Sequence, residues 1–227
     1  MKKLIAAFGI IFLSATSSVA EDYWVTQYRA APGNFPALLE LVNSTDWQSL
    51  DSGRPIFMRH SQGNHWDLML VSTPCISSAC LKAMREFGEK TGQLVDFEQS
   101  FMAWSDTPWA EVQNQAKSAG LFHIEMFNAA AGKLKALQRQ RKIENAYLAA
   151  TGQIENVIFD VQFGSDIDIF TIGFHVSLES FAQQGPPNAE AAEKAAVTAG
   201  FKNRADISFH LRELIVGHHD TLAIPVK

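Results

Sequence analysis

The 227-residue sequence contains few cysteines and none of the common catalytic motifs. Its two cysteines, Cys75 and Cys80, lie in the segment PCISSAC, which is neither a C-x-x-C redox motif nor a set of four zinc ligands. The sequence has no G-x-S-x-G nucleophile elbow, no P-loop, no G-x-G-x-x-G turn after a strand and no H-E-x-x-H helix. The sequence therefore does not identify a reaction or a substrate.

The sequence also has fewer basic residues than acidic ones. The chain has 19 lysines and arginines against 24 aspartates and glutamates, a formal net charge of −5. An acidic surface repels a phosphate backbone, so we expect no nucleic-acid partner.

Only one long apolar run is present, at residues 4–13. It follows Lys2 and Lys3 and precedes small residues that end at Ala20, which is the pattern of a secretory signal peptide. We predict cleavage after Ala20, removal of residues 1–20, and a periplasmic or secreted protein. The run is short for a membrane span and no comparable run follows, so we expect no integral membrane segment.

The cysteine spacing has a simple interpretation in an exported protein. Two nearby cysteines in an oxidising compartment most often pair, and we predict an intramolecular Cys75–Cys80 disulfide. The chain-entropy model assigns so short a loop only about 2 kcal/mol of stabilisation. A redox or zinc function for the pair is the less favoured alternative.

A repeated segment indicates how the chain is organised. AAPGNFPAL at residues 30–38 and AAAGKLKAL at residues 129–137 share five residues, and each follows a strand-like segment, at 23–29 and 121–128. Each also precedes a helix-like segment. In the second copy we expect basic side chains to form a solvated face of that helix, at Lys133, Lys135, Arg139, Arg141 and Lys142.

The elements that follow also occur twice. A hairpin at 54–72 corresponds to one at 155–175, with Gly63 aligned on Gly164 and Asp67 on Asp168. We then predict a helix and a final strand in each copy, at 77–92 and 97–107 in the first and at 188–200 and 210–221 in the second. The last strands align Asp106 on Asp220. Both copies, residues 21–110 and 118–227, have the order β-α-β-β-α-β, which is ferredoxin-like.

The junction between the first strand and helix is similar to that of a known superfamily. The residues Pro32-Gly33-Asn34 and Ala131-Gly132-Lys133, each followed by x-x-A-L, resemble the dimeric α+β barrel superfamily, which includes antibiotic-biosynthesis-type monooxygenases and NIPSNAP-like proteins. The resemblance implies that two tandem ferredoxin-like repeats form a pseudo-dimeric α+β barrel with its helices outside. Sites in this superfamily lie inside the barrel or between sheet and helices, and no residue set transfers.

Alternation along the strands supplies candidate site residues. His65 and Asp67 share a face with Met69 and are opposite Trp66, Asp168 is the counterpart of Asp67, and His123 shares a face with Glu125. His210 and Arg212 would share a face of the final strand. We predict a ligand-binding pocket in the barrel that draws on His65, Asp67, His123, Glu125 and Asp168. The alternative is that these residues cap turns or lie in solvent at strand ends.

Metal and cofactor sites are not expected. Adjacent residues on a strand point to opposite faces, so His218 and His219 of GHHDT are poorly placed to ligate one ion. His175 follows an apolar strand and is interpreted as a strand-end residue rather than a haem ligand.

Three functions remain open. The first is an exported binding protein or cofactor-independent enzyme that takes a small apolar or aromatic molecule into a barrel rich in aromatic residues, among them Trp24, Trp66, Phe127 and Phe170. The second is a non-enzymatic interaction protein of the cell envelope with a filled barrel. The third is a haem-binding member of the same superfamily. In each case the protein would be a monomer or homodimer.

Overall fold

A computed structural model describes residues 21–60, 65–186 and 188–226. The predicted signal peptide and Gly63 lie outside the described residues. The first half of the chain consists of β1 (Glu21–Ala30), α1 (Phe35–Ser44), β2 (Ile56–His60), β3 (Leu68–Ser72), α2 (Ser78–Thr91) and β4 (Val95–Ser105). After α3 (Trp109–Ser118), the second half consists of β5 (Leu121–Ala129), α4 (Leu134–Ala150), β6 (Val157–Phe163), β7 (Ile169–His175), α5 (Leu178–Ala182), α6 (Ala189–Ala199), α7 (Asp206–Arg212) and β8 (Ile215–Pro225).

The eight strands form one closed antiparallel barrel. Each half contributes four adjacent strands, in the order β4-β1-β3-β2 and β8-β5-β7-β6. The two sheets join at both edges, where β2 pairs with β8 and β4 pairs with β6. The predicted fold, two tandem ferredoxin-like repeats in a pseudo-dimeric α+β barrel, is confirmed.

The repeated nine-residue segment forms the same turn in both halves. Gly33 has a φ of +87° and Gly132 a φ of +74°, a left-handed conformation that glycine adopts without steric cost. The amide that follows each glycine donates to a carbonyl three residues earlier, Asn34 to Ala31 and Lys133 to Ala130. The segment recurs because each half must turn sharply from its first strand into its first helix.

The barrel interior is filled with apolar side chains from all eight strands. The largest of these include Tyr23, Phe101, Phe122, Phe159 and Phe170, and Trp109 and Val112 of α3 pack against the same cluster. Eight strands enclose a space just wide enough for side chains to fill it. The predicted location of a pocket, inside the barrel, therefore does not agree with the described part of the structure.

Two strand predictions need correction. Trp66 lies in the interior cluster together with Met69, because β3 begins only at Leu68 and strict alternation does not extend to residues 65–67. His210 and Arg212 lie in α7 rather than in a strand. Ile207 and Leu211, spaced as on one face of a helix, pack against the neighbouring hydrophobic clusters, and β8 starts at Ile215.

The later start of β8 also changes how the two halves correspond. Thr26 pairs with Ser100, and Glu125, at the equivalent place in the second half, pairs with Asp220. Asp220 therefore corresponds to Ser100 in mid-strand, and not to Asp106, which follows the end of β4.

None of the helices in the described part of the chain is long and apolar enough to cross a membrane.

Candidate functional sites outside the barrel

The outward-facing side chains of the first strand differ sharply between the two halves. In β1 they are Trp24, Thr26 and Tyr28, and in β5 the equivalent residues are His123, Glu125 and Phe127. Both rows lie between the barrel and the helices. The first row borders a largely apolar cavity, and the second carries a network of charged groups.

The cavity of the first half has a volume of about 420 Å³ and lies between the outer face of β1 and β4 and the helix α2. That volume is within the usual range for small-molecule sites. Its surface is mostly apolar, and the lining includes two aromatic rings and two thioethers, from Trp24, Tyr28, Met84 and Met102. We call this space the first-half cavity.

A helical glycine contributes to the space. Gly88 lies in the interior of α2 and lines the first-half cavity. A Cβ atom at this position would meet no atom within 4 Å. Glycine in a helix interior costs roughly 1 kcal/mol relative to alanine, so the open space comes at a cost in local stability.

A disulfide and several hydrogen bonds fix the segment of residues 75–80 at the rim of the cavity, where α2 begins. Cys75 and Cys80 form the predicted disulfide, with their Cα atoms 5.4 Å apart. Ser77 caps the helix by accepting a hydrogen bond from the Cys80 N–H at 3.1 Å. The Asp51 carboxylate accepts from the N–H groups of Ile76 and Ser77, each at 2.8 Å, and the hydrogen bonds from Ser77 lower the pKa of that carboxyl.

A few polar groups interrupt the apolar lining. The hydroxyl groups of Thr26 and Ser100 are hydrogen-bonded to each other at 2.9 Å. Glu98 lies beside them on β4 at the exposed edge, and partial burial raises the pKa of its carboxyl. The cavity thus combines an apolar body with a small polar end, a usual arrangement for a site that binds and orients a small molecule.

The second half carries a charged network on the same outer face. The buried Glu125 carboxylate accepts from Arg141 of α4 at 3.4 Å and from the Thr171 hydroxyl at 3.3 Å. Its other oxygen lies 3.4 Å from Nε2 of His218. His123 Nε2 lies 2.8 Å from the carboxylate of Asp220.

Mutual attraction shifts the pKa values of these groups. Burial lowers the pKa of His123, but the hydrogen bond to Asp220 and the nearby Glu125 carboxylate outweigh it and raise the pKa. Burial raises the pKa of Glu125, but His218 and Arg141 outweigh it and keep that carboxyl ionised. The His123 hydrogen bond likewise lowers the pKa of Asp220.

His175 lies beside this network and borders a second cavity of about 290 Å³. Its side chain is buried, and Nδ1 lies 3.0 Å from the Gln184 amide nitrogen. Nε2 has no hydrogen-bond partner among the described residues. Burial, followed by the neighbouring His123, lowers the pKa of His175 to about 4, so the imidazole is neutral near pH 7.

The five residues predicted to bind a ligand occupy three different places. His123 and Glu125 come together in the charged network. Asp67 and Asp168 bind backbone instead, accepting from the N–H groups of Ala30 and Ala129 at 2.9 and 2.7 Å. His65 lies shortly before β3, with its ring 5.5 Å from that of Phe97 and 6.1 Å from that of His219. A ligand-binding role for these residues stays a prediction.

Sequence reasoning missed the partners of Glu125. Arg141 was expected on the solvated face of α4, but its side chain is only 2% exposed and lies over the Phe127 ring at 4.5 Å. The apolar residues of α4 do not show which face of the helix packs against the barrel, because lysines and arginines are interspersed among them in the sequence. His218 and Asp220 were considered only as part of an adjacent cluster, and their spacing of two on β8 is the signal that places both on one face.

Solved structures with the same fold exist, although sequence identity is very low. A monooxygenase-like protein from Fusobacterium nucleatum has a TM-score of 0.58 and 8% identity, covering 92% of this chain and 94% of the other. A chlorite dismutase variant from Candidatus Nitrospira defluvii gives 0.52 and 12%, covering 91% of each chain. A haem-binding protein from Thermus thermophilus gives 0.51 and 11%, covering 91% and 92%.

No protein-family model matches the chain, and no curated protein matches it in sequence. The structural likenesses extend over nearly the whole chain and establish the dimeric α+β barrel fold. At these identities they do not assign an activity, because one fold carries many functions and each function depends on the residues of its site.

Proposed function

We propose that the protein is exported and binds a small apolar or aromatic molecule in the first-half cavity. The observation that carries this proposal is the cavity of about 420 Å³ lined by Trp24, Tyr28, Met84 and Met102. Filling such a space with an apolar ligand removes apolar surface of the ligand and of the protein from water. The binding free energy gains about 25 cal/mol for each Å² buried.

The polar end of the cavity limits which molecules fit. The paired hydroxyl groups of Thr26 and Ser100 accept or donate one hydrogen bond to a ligand, and Glu98 at the edge accepts one or, when protonated, donates one. A ring system with a single hydroxyl or amino group therefore matches the site better than a polyanion.

The proposal is tested with N-phenyl-1-naphthylamine, a neutral aromatic probe whose fluorescence rises in an apolar site. We expect saturable binding to the purified full chain and competition by indole. Replacing Gly88→Leu places a side chain in the open space and should weaken probe binding at least tenfold. The helix should remain intact, because leucine is a better helix former than glycine.

Two control variants make the test specific. Gly88→Ala adds one methyl group and should retain most of the binding. His123→Gln, at the position equivalent to Trp24, should leave probe binding unchanged. Absence of saturable binding, or equal binding by Gly88→Leu and the parent chain, would contradict the proposal and favour the interaction protein with a filled barrel.

Export rests on the N-terminal pattern and agrees with the Cys75–Cys80 disulfide. Expression of the full-length gene product in a bacterial host should yield a periplasmic chain that starts at Glu21. Intact mass would also record the loss of two hydrogen atoms when the two thiols are oxidised to the disulfide. A cytoplasmic chain that retains residues 1–20 would contradict this part of the proposal.

One observation favours haem binding as a second candidate. His175 borders the cavity of about 290 Å³, and its buried Nε2 has no hydrogen-bond partner among the described residues; a neutral imidazole is a usual axial ligand of haem iron. A haem-binding protein from Thermus thermophilus has the same fold. The cavity is smaller than a tetrapyrrole, so Phe181 and Gln184 would have to move.

Titration with haemin decides between the candidates. Stoichiometric binding with a Soret band that is lost in His175→Ala supports haem binding. A spectrum identical for His175→Ala and the parent chain, or no band above that of free haemin, excludes His175 as a ligand.

A further inference from the structure

Four side chains with metal-binding atoms lie together on the outer face of two adjacent strands. His123 and Glu125 are two residues apart on β5, and His218 and Asp220 are two residues apart on β8. The two strands are paired antiparallel, with Glu125 opposite Asp220 and Phe127 opposite His218. Alternation therefore points all four toward the same side.

The distances among three of these side chains suit a single ion, and the fourth, His218, lies beside Glu125. The nearest ligand atoms of His123, Glu125 and Asp220 all lie within 4.8 Å of one another. His123 Nε2 is 2.8 Å from Asp220 Oδ1, and His218 Nε2 is 3.4 Å from Glu125 Oε1. Ligands at about 2.0–2.1 Å from a tetrahedral ion are separated by about 3.3 Å, so His123, Glu125 and Asp220 need only small movements. His218 is within reach of Glu125 and would complete the site by turning its ring toward the other ligands.

The central carboxylate is already oriented by neighbouring groups. Oε2 of Glu125 accepts hydrogen bonds from Arg141 and Thr171, which leaves Oε1 beside His218 and free of those two hydrogen bonds. Hydrogen bonds of this kind to the second oxygen are typical of carboxylates that ligate metals. Asp220, by contrast, is more than half exposed and leaves the site open to solvent.

The charge of the surroundings calls for a cation. Glu125, Glu144 and Asp220 carry three negative charges, and Arg141 supplies one permanent positive charge, which it shares with Glu144 through an ion pair. When both imidazoles are neutral, as metal ligation requires, these side chains carry a net charge of −2. One divalent ion, bound in place of the imidazole protons, balances that charge.

We propose that His123, Glu125, His218 and Asp220 form a binding site for a divalent transition-metal ion. Two imidazoles and two carboxylates are a donor set that suits Zn²⁺ and neighbouring ions better than Mg²⁺ or Ca²⁺, which take oxygen ligands. No residue of the first-half cavity belongs to this site, so either proposal can fail while the other holds.

The test uses the tag-free full chain, stripped with a chelator and titrated with Zn²⁺ against a chromogenic chelator. We expect one Zn²⁺ per chain, with a micromolar or lower Kd. Asp220→Asn and His218→Asn should each weaken binding at least tenfold. His219→Asn changes the next residue on β8, which points to the opposite face, and should bind Zn²⁺ like the parent chain.

Two further measurements keep the result interpretable. Circular dichroism before titration establishes that each variant is folded, and Co²⁺ substitution should produce visible absorption bands that disappear in Asp220→Asn. Absence of stoichiometric binding would overturn the proposal. So would an unchanged Kd in both Asp220→Asn and His218→Asn, or an equal loss of affinity in His219→Asn.

Discussion

The carboxylate of Asp67 accepts a hydrogen bond from the backbone N–H of Ala30 at 2.9 Å. The N–H of Asp67 in turn donates to the carbonyl of Tyr28, so one residue fixes the end of β1 at two points. Asp168 forms the same two bonds with Ala129 and Phe127 in the second half. The one polar residue repeated in both halves thus holds backbone at the exit from the first strand.

Replacing Asp67→Ala should therefore reduce stability without affecting ligand binding. The Ala30 N–H loses a charged acceptor, and we expect a loss of about 1–2 kcal/mol in the free energy of unfolding. Urea denaturation measures the loss, and probe binding to the first-half cavity provides the functional readout. An unchanged stability with weakened probe binding would instead indicate the ligand-binding role predicted from sequence.

Gly164 permits β4 and β6 to approach each other where the two halves join. Its φ is +96°, and a Cβ atom would lie 2.6 Å from the carbonyl oxygen of Ser100. We expect Gly164→Ala to cost about 3 kcal/mol, since it combines backbone strain with a clash. Gly132→Ala has a similar φ but no atom near its Cβ position, and should cost only about 1 kcal/mol. Equal losses in the two variants would show that the contact with β4 does not matter.

His175 should make stability depend on pH between about 4 and 6.5. Its pKa is about 4 in the folded protein and near 6.5 when exposed, so the unfolded chain binds more protons in this window. The contribution is therefore fully present above pH 6.5 and declines by up to about 3 kcal/mol as the pH falls to 4. Urea denaturation of the parent chain and His175→Gln at several pH values should give converging curves at high pH. Parallel curves would mean that the folded protein protonates this imidazole normally.

The Cys75–Cys80 disulfide should add modest stability to the rim of the first-half cavity. The double variant Cys75→Ala with Cys80→Ala should lose about 2 kcal/mol in the chain-entropy model. Dithiothreitol should lower the free energy of unfolding of the parent chain by a similar amount and leave that of the double variant unchanged. A response of the double variant to dithiothreitol would point to an effect other than this disulfide.

Much of the fold could be predicted from sequence because its signals are local. The left-handed glycines Gly33 and Gly132, the strand before each and the helix after each recur at a constant spacing, and that order is enough to specify a ferredoxin-like repeat. The prediction failed where a local pattern was ambiguous. Residues 206–212 form α7 because Ile207 and Leu211 pack against neighbouring clusters, a contact that no local pattern specifies.

The candidate sites depended on tertiary structure to a greater extent. Alternation correctly placed His123 and Glu125 on one face of a strand, but it does not say whether that face points into the barrel or toward the helices. The partners of Glu125 come from α4, β7 and β8, and they meet it only because β8 returns to pair with β5. The sequence by itself determined the order of the first elements in each half, and it determined that His123 and Glu125 share one face of their strand. Barrel closure decided which faces became core, cavity and charged network, because that depends on contacts between strands far apart in the chain.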